Sequence, residues 1–315
     1  MFHRSNAGAA DGCRLLLRAA WCAVLGLVTL VGVGVGAPSS SLAGQPSGVQ
    51  IRQTDYRQDR VTFQTTLRRS GPAPQMGAPL NAPAGVTQIE FPSGELRLKA
   101  WVGMPEAAEA KLPVVIFLHG GFAFGLDDFK MAAPYREAGF VVVTPVLRGE
   151  NGQAGAFSLF YDEVDDVLAV AKFMQTQPYV DAAHIYLAGH SVGGTMALLS
   201  GMAASDFKAV ASLSGSPDQI AFTANSWNRK LPPFDKKNPR EFEMRSPLSY
   251  AASLKSPTRL YYGTEEDFFR DNTQRLVSIA KAAGLPVDYR EMPGNHFSAV
   301  PAEIADSIQF FRAHW

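Results

Sequence analysis

The sequence is poor in cysteine and carries no net charge. Only 2 of its 315 residues are cysteine, which excludes both a disulfide framework and a zinc site built on several cysteines. Lys plus Arg number 29 and Asp plus Glu also number 29, so no overall field attracts a polyanion and we expect no nucleic-acid partner. Apolar residues make up 46% and charged residues 18%, which is the balance of a globular chain and not of a disordered one.

The N-terminal residues have the pattern of a secretory signal peptide. Three arginines in the first 20 residues precede an apolar run over residues 21–35, and Ser41 and Ala43 supply the small side chains found before a cleavage site. We therefore predict that residues 1–43 are a signal peptide cleaved near Ala43, and that the protein is secreted or periplasmic. Without cleavage, the segment would anchor the chain in a membrane. Both cysteines lie within it, and an exported chain without disulfides fits a bacterial periplasm or medium.

Beyond this segment, the composition divides the chain into an extension and one catalytic domain. Residues 44–85 are rich in Gln, Pro, Gly and Ala, which predicts a linker or a chain wrapped over the surface, with one strand at 60–67. Regular patterning then covers residues 86–315. Within that domain the longest irregular stretch, 216–256, is predicted to form a small cap or pocket wall.

Strand and helix patterns alternate through the catalytic domain. A hairpin signal at Pro92-Ser93-Gly94 joins two strands of alternating polarity. Short, mostly apolar runs predict further strands at 113–121, 140–146, 184–191, 209–215, 258–263 and 287–292. Amphipathic or capped segments predict helices at 127–139, 163–175, 192–203, 271–284 and 301–315. This alternation is typical of an α/β fold with a doubly wound, mostly parallel sheet and helices on both faces, where chemistry lies at the carboxyl ends of the strands.

The pentapeptide Gly189-His190-Ser191-Val192-Gly193 lies between a predicted strand and a predicted helix. A nucleophilic serine is exposed by a sharp strand-to-helix turn of this kind, and glycines on either side leave room for the strained backbone. We predict that Ser191 is the nucleophile of a hydrolase.

A serine nucleophile needs a base, and the base needs an orienting acid. Only His296 and His314 follow Ser191 in the chain, and His296 lies in the loop before the last helix, where this architecture places its base. The acid is expected where the preceding strand ends, and Glu266 and Asp267 are adjacent candidates there. The residues alone leave both open.

An oxyanion hole requires two backbone N–H donors. One is predicted at Val192, directly after the nucleophile, and the other at Gly121 or Phe122, in the loop at the end of the strand predicted at 113–121. His119 is predicted to organise this loop.

Taken together, these segments resemble the prolyl oligopeptidase family of the α/β-hydrolase superfamily, close to the dienelactone-hydrolase-like esterases. The similar segments follow the family's order through the catalytic domain and are HGGF (119–122), RGENGQAGAF (148–157), EVDDV (163–167), VDAAHIYLAGHSVGG (180–194), SPLSYAASLKSPTRLYYGTEED (246–267) and GNHF (294–297). The resemblance implies an α/β-hydrolase fold, with Ser191 as nucleophile and His296 as base.

The resemblance also concerns the choice between the two candidate acids of the triad. In the family, the acid usually lies three residues after the glycine that ends its strand, which counted from Gly263 is Glu266. The family normally has Asp at that position. Either Glu266 takes its place, or Asp267 does so with a shift of one residue.

We predict a serine hydrolase, a serine-type peptidase or carboxylesterase, that cleaves an ester or peptide bond through a Ser-His-acid triad and an acyl-enzyme. Its substrate is expected to be a small ester or a short peptide, because the length leaves little room for the propeller that filters substrates in the larger peptidases of the family. We expect no metal and no organic cofactor, and contact with a membrane only through an uncleaved N-terminal segment. The alternative is a binding protein that has kept the fold and lost catalysis.

Overall fold

The computed structural model describes residues 48–78, 80–106 and 111–315. The predicted signal peptide, residues 1–43, lies outside the described residues, as do the next four residues of the extension.

One eight-stranded sheet forms the centre of the catalytic domain. Its strands are β1 (Val86–Ser93), β2 (Leu96–Gly103), β3 (Leu112–Leu118), β4 (Val141–Pro145), β5 (Val180–His190), β6 (Val210–Leu213), β7 (Thr258–Gly263) and β8 (Val287–Met292). They are ordered β1-β2-β4-β3-β5-β6-β7-β8. The hairpin β1-β2 is antiparallel and β2 runs antiparallel to β4, whereas all pairs from β4 to β8 are parallel. The predicted doubly wound, mostly parallel α/β-hydrolase sheet is confirmed.

Helices follow the strands along the chain. They are α1 (Tyr56–Thr62), α2 (Leu126–Met131), α3 (Ala133–Glu137), α4 (Glu163–Gln175), α5 (Val192–Ala203), α6 (Gln219–Ala224), α7 (Pro239–Glu243), α8 (Asp267–Ala282) and α9 (Val300–Arg312). Short 3₁₀ turns cover Asn228–Lys230 and Pro247–Ser253. In the part of the chain that the structure describes, no helix combines the length and the apolar character needed to cross a bilayer.

The two faces of the sheet bury separate cores because side chains alternate along each strand. On β3, Val114 and Ile116 pack into a core with apolar residues of α4, α5 and α8. Their neighbours Val115 and Phe117 point to the opposite face and pack with residues of α3 and α9. Helices therefore cover both faces, as predicted, and the strands from β3 to β7 are buried towards their carboxyl ends.

The strand predicted at residues 60–67 is wrong. A helix, α1, occupies the first part of this stretch, because the side chain of Asp55 accepts a hydrogen bond from the Gln58 N–H and caps the helix. Tyr56 at its start is fully buried and donates a hydrogen bond to the carbonyl of Met244. The extension is thus packed on the catalytic domain by a buried aromatic side chain.

The helix predicted at 127–139 forms as two short helices, α2 and α3, which meet at Ala132. Pro134 lies just inside the second helix, and since it lacks an N–H it cannot continue the hydrogen bonding of the first. The stretch 216–256 is built from α6, α7 and the 3₁₀ turns, and Glu241 of α7 accepts hydrogen bonds from Thr65 and Thr66 of the extension.

Candidate active site

Ser191 lies at the sharp turn between β5 and α5. Its backbone has φ 57° and ψ −117°, a strained region for a side chain other than glycine. A Cβ atom at Gly189 would overlap the backbone of Gly193, and one at Gly193 would overlap the carbonyl of Leu118 on the adjacent strand. The two glycines are therefore required for the turn that presents Ser191.

His296 connects the serine to a carboxylate. Its Nε2 lies 2.9 Å from Ser191 Oγ, and its Nδ1 lies 2.5 Å from Glu266 Oε1. Because a carboxylate only accepts hydrogen bonds, Nδ1 carries the proton and Nε2 is left to accept one from the serine hydroxyl. The imidazole ring stacks on Phe269, with 5.4 Å between ring centroids and an interplanar angle of 8°, so its orientation is fixed by packing as well as by hydrogen bonds.

Glu266 is buried, with only 1% of its surface exposed. Its Oε2 accepts hydrogen bonds from the Gly263 N–H and from Ser214 Oγ, each at 2.6 Å. Burial opposes ionisation of this carboxyl, but the hydrogen bonds from His296, Ser214 and Gly263 and the charge of the imidazole outweigh it and lower the pKa of Glu266 below its ordinary value. The carboxylate is thus held ionised against the imidazole.

Asp267, the other candidate acid, points away from this cluster. It is the first residue of α8, its side chain is 86% exposed, and it forms an ion pair with Arg270 one helical turn later. Of the two candidates, the structure brings Glu266 to His296 and leaves Asp267 on the surface.

The three predicted oxyanion donors lie at the ends of β3 and β5, close to Ser191. Val192 begins α5 and Gly121 has φ +71°; among the described residues, neither amide N–H has a hydrogen-bond partner. The Phe122 N–H, in contrast, donates to Oε1 of Gln75 at 3.0 Å. Among the described residues, the N–H groups of Val192 and Gly121 are thus left without a partner, whereas that of Phe122 is engaged by Gln75. Gln75 comes from the extension, and the sequence analysis did not connect it with the site.

The loop that carries Gly121 is fixed by a buried ion pair. His119 Nε2 lies 2.9 Å from Glu150 Oε2, and both side chains are less than 5% exposed. Burial lowers the pKa of His119, but the charge and hydrogen bond of Glu150 outweigh it and raise the pKa to about 9. His119 is therefore an imidazolium that joins this loop to the loop after β4, in agreement with its predicted organising role.

His190 is a further residue at the site that the sequence analysis missed, although it lies within the serine motif. It is buried, and its Nε2 lies 2.8 Å from the backbone carbonyl of His296. A carbonyl only accepts, so Nε2 carries the proton; burial and the neighbouring His296 lower the pKa of His190 to about 3, which keeps it neutral. His190 thus ties the serine turn to the loop that carries the base.

Within residues 48–78, 80–106 and 111–315, no group of three or more His, Cys, Asp or Glu side chains is arranged to hold a metal ion.

Known proteins similar to this chain include several peptidases. A family model described as the prolyl oligopeptidase family matches residues 127–314. A Bacillus subtilis protein named uncharacterized peptidase YtmA is 25% identical over 186 residues, which are 56% of this chain and 72% of that protein.

Solved structures of larger peptidases share the fold. The acylaminoacyl peptidase of Pyrococcus horikoshii is 24% identical, with a TM-score of 0.57, and the match covers 72% of this chain and 40% of that one. The dipeptidyl peptidase 4 of Porphyromonas gingivalis is also 24% identical, with a TM-score of 0.63, and the match covers 72% and 35%. The chain therefore spans less than half the length of these two peptidases, and at this identity the likeness supports the fold alone.

Proposed function

This chain belongs to the prolyl oligopeptidase family and is a serine hydrolase, and on that premise we propose that Ser191, His296 and Glu266 form its catalytic triad. The observation that carries the proposal is the unbroken series of hydrogen bonds from Ser191 Oγ through the imidazole to Glu266. Each group is held in the protonation state that acyl transfer requires, because the carboxylate fixes the proton on Nδ1 and leaves Nε2 as the base.

In the proposed reaction, Ser191 Oγ attacks the substrate carbonyl carbon while His296 Nε2 takes the serine proton. The oxyanion of the tetrahedral intermediate is held by the N–H groups of Val192 and Gly121. His296 then returns the proton to the leaving alcohol or amine, and an acyl-enzyme remains on Ser191. Water, deprotonated by His296, attacks this acyl group, and the acid product and free serine are released.

The backbone of Ser191 argues against a binding protein that has lost catalysis. A non-glycine residue in this conformation costs on the order of 1–3 kcal/mol, and a protein that no longer used the hydroxyl would gain stability from a glycine at this position. Ser191 instead retains both the strained turn and its hydrogen-bonded base.

We propose a small ester or a short peptide as the substrate. The ring of Phe122, next to Gly121 in the chain, packs against those of Phe157 and Phe160, with centroids 5.1 Å and 6.2 Å away. An apolar cluster in this loop suits an apolar acyl group or side chain. Relatives named as peptidases make amide cleavage a candidate beside ester cleavage, and a panel of p-nitrophenyl esters of graded chain length measured beside aminoacyl-anilides separates the two activities.

The proposal is tested by labelling the folded protein with a fluorophosphonate probe. Stoichiometric phosphonylation located on Ser191 by peptide mass spectrometry is expected, and the Ser191→Ala variant is the matched control. Failure of the folded protein to form an adduct at Ser191, with intact circular dichroism, would refute the assignment.

We further propose that the enzyme is exported, on the basis of the signal-peptide pattern of residues 1–43. Expression of the full chain in a bacterial host should yield a periplasmic or secreted protein whose N-terminus, measured by mass spectrometry, follows Ala43. Retention of residues 21–35 on the purified protein would indicate a membrane-anchored enzyme instead.

A further inference from the structure

A second buried carboxyl group lies behind the carboxylate that contacts His296. Glu303, in the first turn of α9, has no exposed surface. The hydroxyl of Ser214 lies between the two acids, 2.6 Å from Glu266 Oε2 and 3.3 Å from Glu303 Oε1. Among the described residues, Glu303 Oε2 has no hydrogen-bond partner, and no cation forms an ion pair with this side chain.

The number of available protons decides how these groups are arranged. Ser214 has a single hydroxyl proton, and since Glu266 is ionised and can only accept, that proton points to Glu266. Oxygen atoms of Ser214 and Glu303 can then share a hydrogen bond only if Glu303 supplies the proton. An ionised Glu303 would instead be a buried charge without a partner, next to a second carboxylate.

The surroundings of Glu303 favour this neutral form. Burial and the charge of Glu266 raise the pKa of Glu303 to about 8. A second titratable group that faces Glu303 is Tyr135 of α3, whose pKa is raised mainly by burial and also by Glu303. Tyr135 hydrogen-bonds to Ser307 and remains neutral, so it offers no compensating charge.

We propose that Glu303 is a positioning residue: as a neutral carboxylic acid it donates a hydrogen bond to Ser214, which directs the Ser214 hydroxyl onto Glu266 and thereby orients His296. The inference rests on the proposed triad, since it explains how the acid of that triad is held. Ser214 itself has a positive φ of 49°, and this strained backbone aims its side chain between the two acids.

A consequence of this arrangement is a specific dependence on pH. When Glu303 loses its proton, it becomes an acceptor that competes with Glu266 for the single Ser214 proton. Glu266 then loses one of its three donors and His296 is held less firmly. We therefore expect kcat of the unmodified enzyme to fall as the pH rises through about 8.

The test compares Glu303→Gln with Glu303→Leu, and uses Glu265→Gln on the exposed side of the acid loop as control. Gln can donate to Ser214 and does not titrate, so kcat at pH 7 should stay within about twofold and the decline near pH 8 should disappear. Leu cannot donate and does not titrate, so kcat at pH 7 should fall about fivefold with KM unchanged, which is the effect of losing one neutral hydrogen bond, and its profile should also lack the decline near pH 8. The control should keep the profile of the unmodified enzyme.

An infrared measurement tests the protonation state of Glu303 without relying on enzyme activity. The difference spectrum between the unmodified protein and Glu303→Gln at pH 7 should contain the carbonyl stretch of a protonated, buried carboxylic acid. The subtraction removes the contribution of Glu163, a second buried carboxyl whose pKa burial raises to about 7. Absence of this band, or an alkaline decline that is the same in Glu303→Gln as in the unmodified enzyme, would overturn the proposal. A fluorophosphonate adduct missing from Ser191 while the band is present would refute the proposed triad and not the state of Glu303.

Discussion

Replacing Glu266 by Gln is expected to move the ring proton of His296 from Nδ1 to Nε2. In the unmodified protein, Glu266 Oε2 accepts from two donors, the Gly263 N–H and the Ser214 hydroxyl, and Oε1 accepts from His296 Nδ1. A carboxamide has one oxygen and one NH₂ group. Its NH₂ cannot face the two donors, so its oxygen must take the place of Oε2 and its NH₂ must face the imidazole. Nδ1 then has to accept, and the ring proton shifts to Nε2, opposite Ser191 Oγ.

The expected size of this effect follows from the role of Nε2. A protonated Nε2 cannot accept the serine proton, and the loss of the correct tautomer in a serine triad lowers kcat by about 10⁴-fold, or about 5 kcal/mol of transition-state stabilisation. KM should change little, because Glu266 is buried behind the imidazole. The matched control is Asp267→Asn, whose carboxyl is exposed and paired only with Arg270, and its kcat should stay within about twofold of the unmodified enzyme.

The assay combines steady-state hydrolysis of a p-nitrophenyl ester with the rate of fluorophosphonate labelling. Nitrogen-15 spectra of the imidazole report directly which ring nitrogen carries the proton. Circular dichroism melting controls for folding of both variants. The reasoning is refuted if Glu266→Gln keeps kcat within tenfold of the unmodified enzyme, or if Asp267→Asn causes the large loss.

Three further variants test the fold around the site. Glu303→Gln should raise the free energy of unfolding by about 3 kcal/mol at pH 7 and by almost nothing at pH 4. The reason is that the carboxyl of the unfolded chain ionises above its ordinary pKa, while that of the folded protein stays protonated up to about pH 8. Urea titrations at the two pH values measure the difference, and an equal gain at both would contradict the prediction. Gly193→Ala should destabilise the fold by about 3 kcal/mol or more and lower the melting temperature, since its Cβ would overlap a backbone carbonyl of β3. The control is Gly71→Ala, which has open space around its Cβ and should leave the melting temperature unchanged. Gln75→Ala should lower kcat about threefold, because the loop of Phe122 loses one neutral hydrogen bond; a rise in kcat/KM would instead mean that Gln75 obstructs the substrate.

Much of the fold is predictable from the sequence because its signals are local. Strands buried on both faces are mostly apolar, so β4 and β7 can be recognised as the short runs at residues 140–146 and 258–263. The errors occur where local signals conflict. In residues 60–67 the alternation of Val, Phe and Thr predicts a strand, but the cap at Asp55 starts a helix that continues through the first three residues of the run.

The site is predictable in part for the same reason. Ser191 is marked by its glycines and His296 by its place in the chain order, and the structure brings their side chains into hydrogen-bond contact; their catalytic roles stay predictions. Glu266 and Asp267 could not be separated, because adjacent residues in a strand-to-helix turn point in opposite directions and the turn geometry decides which one faces inward. No local motif indicates a role for Glu303, because this residue is brought to the site only by the packing of α9 on the sheet.

The residues with a strained backbone lie in the loops at the carboxyl edge of the sheet, where the proposed site is. Among the described residues, the non-glycine positions with positive φ are Asn151, Leu159, Phe160, Ser191 and Ser214. All five lie in loops that follow β4, β5 or β6 at the ends where the parallel strands finish. Each such residue costs on the order of 1–3 kcal/mol and persists only where its surroundings hold it. Because two of them present the hydroxyls that contact His296 and Glu266, the strain is concentrated where side chains must be aimed. Substituting glycine at Ser214 should therefore relieve strain and still weaken the hold on Glu266.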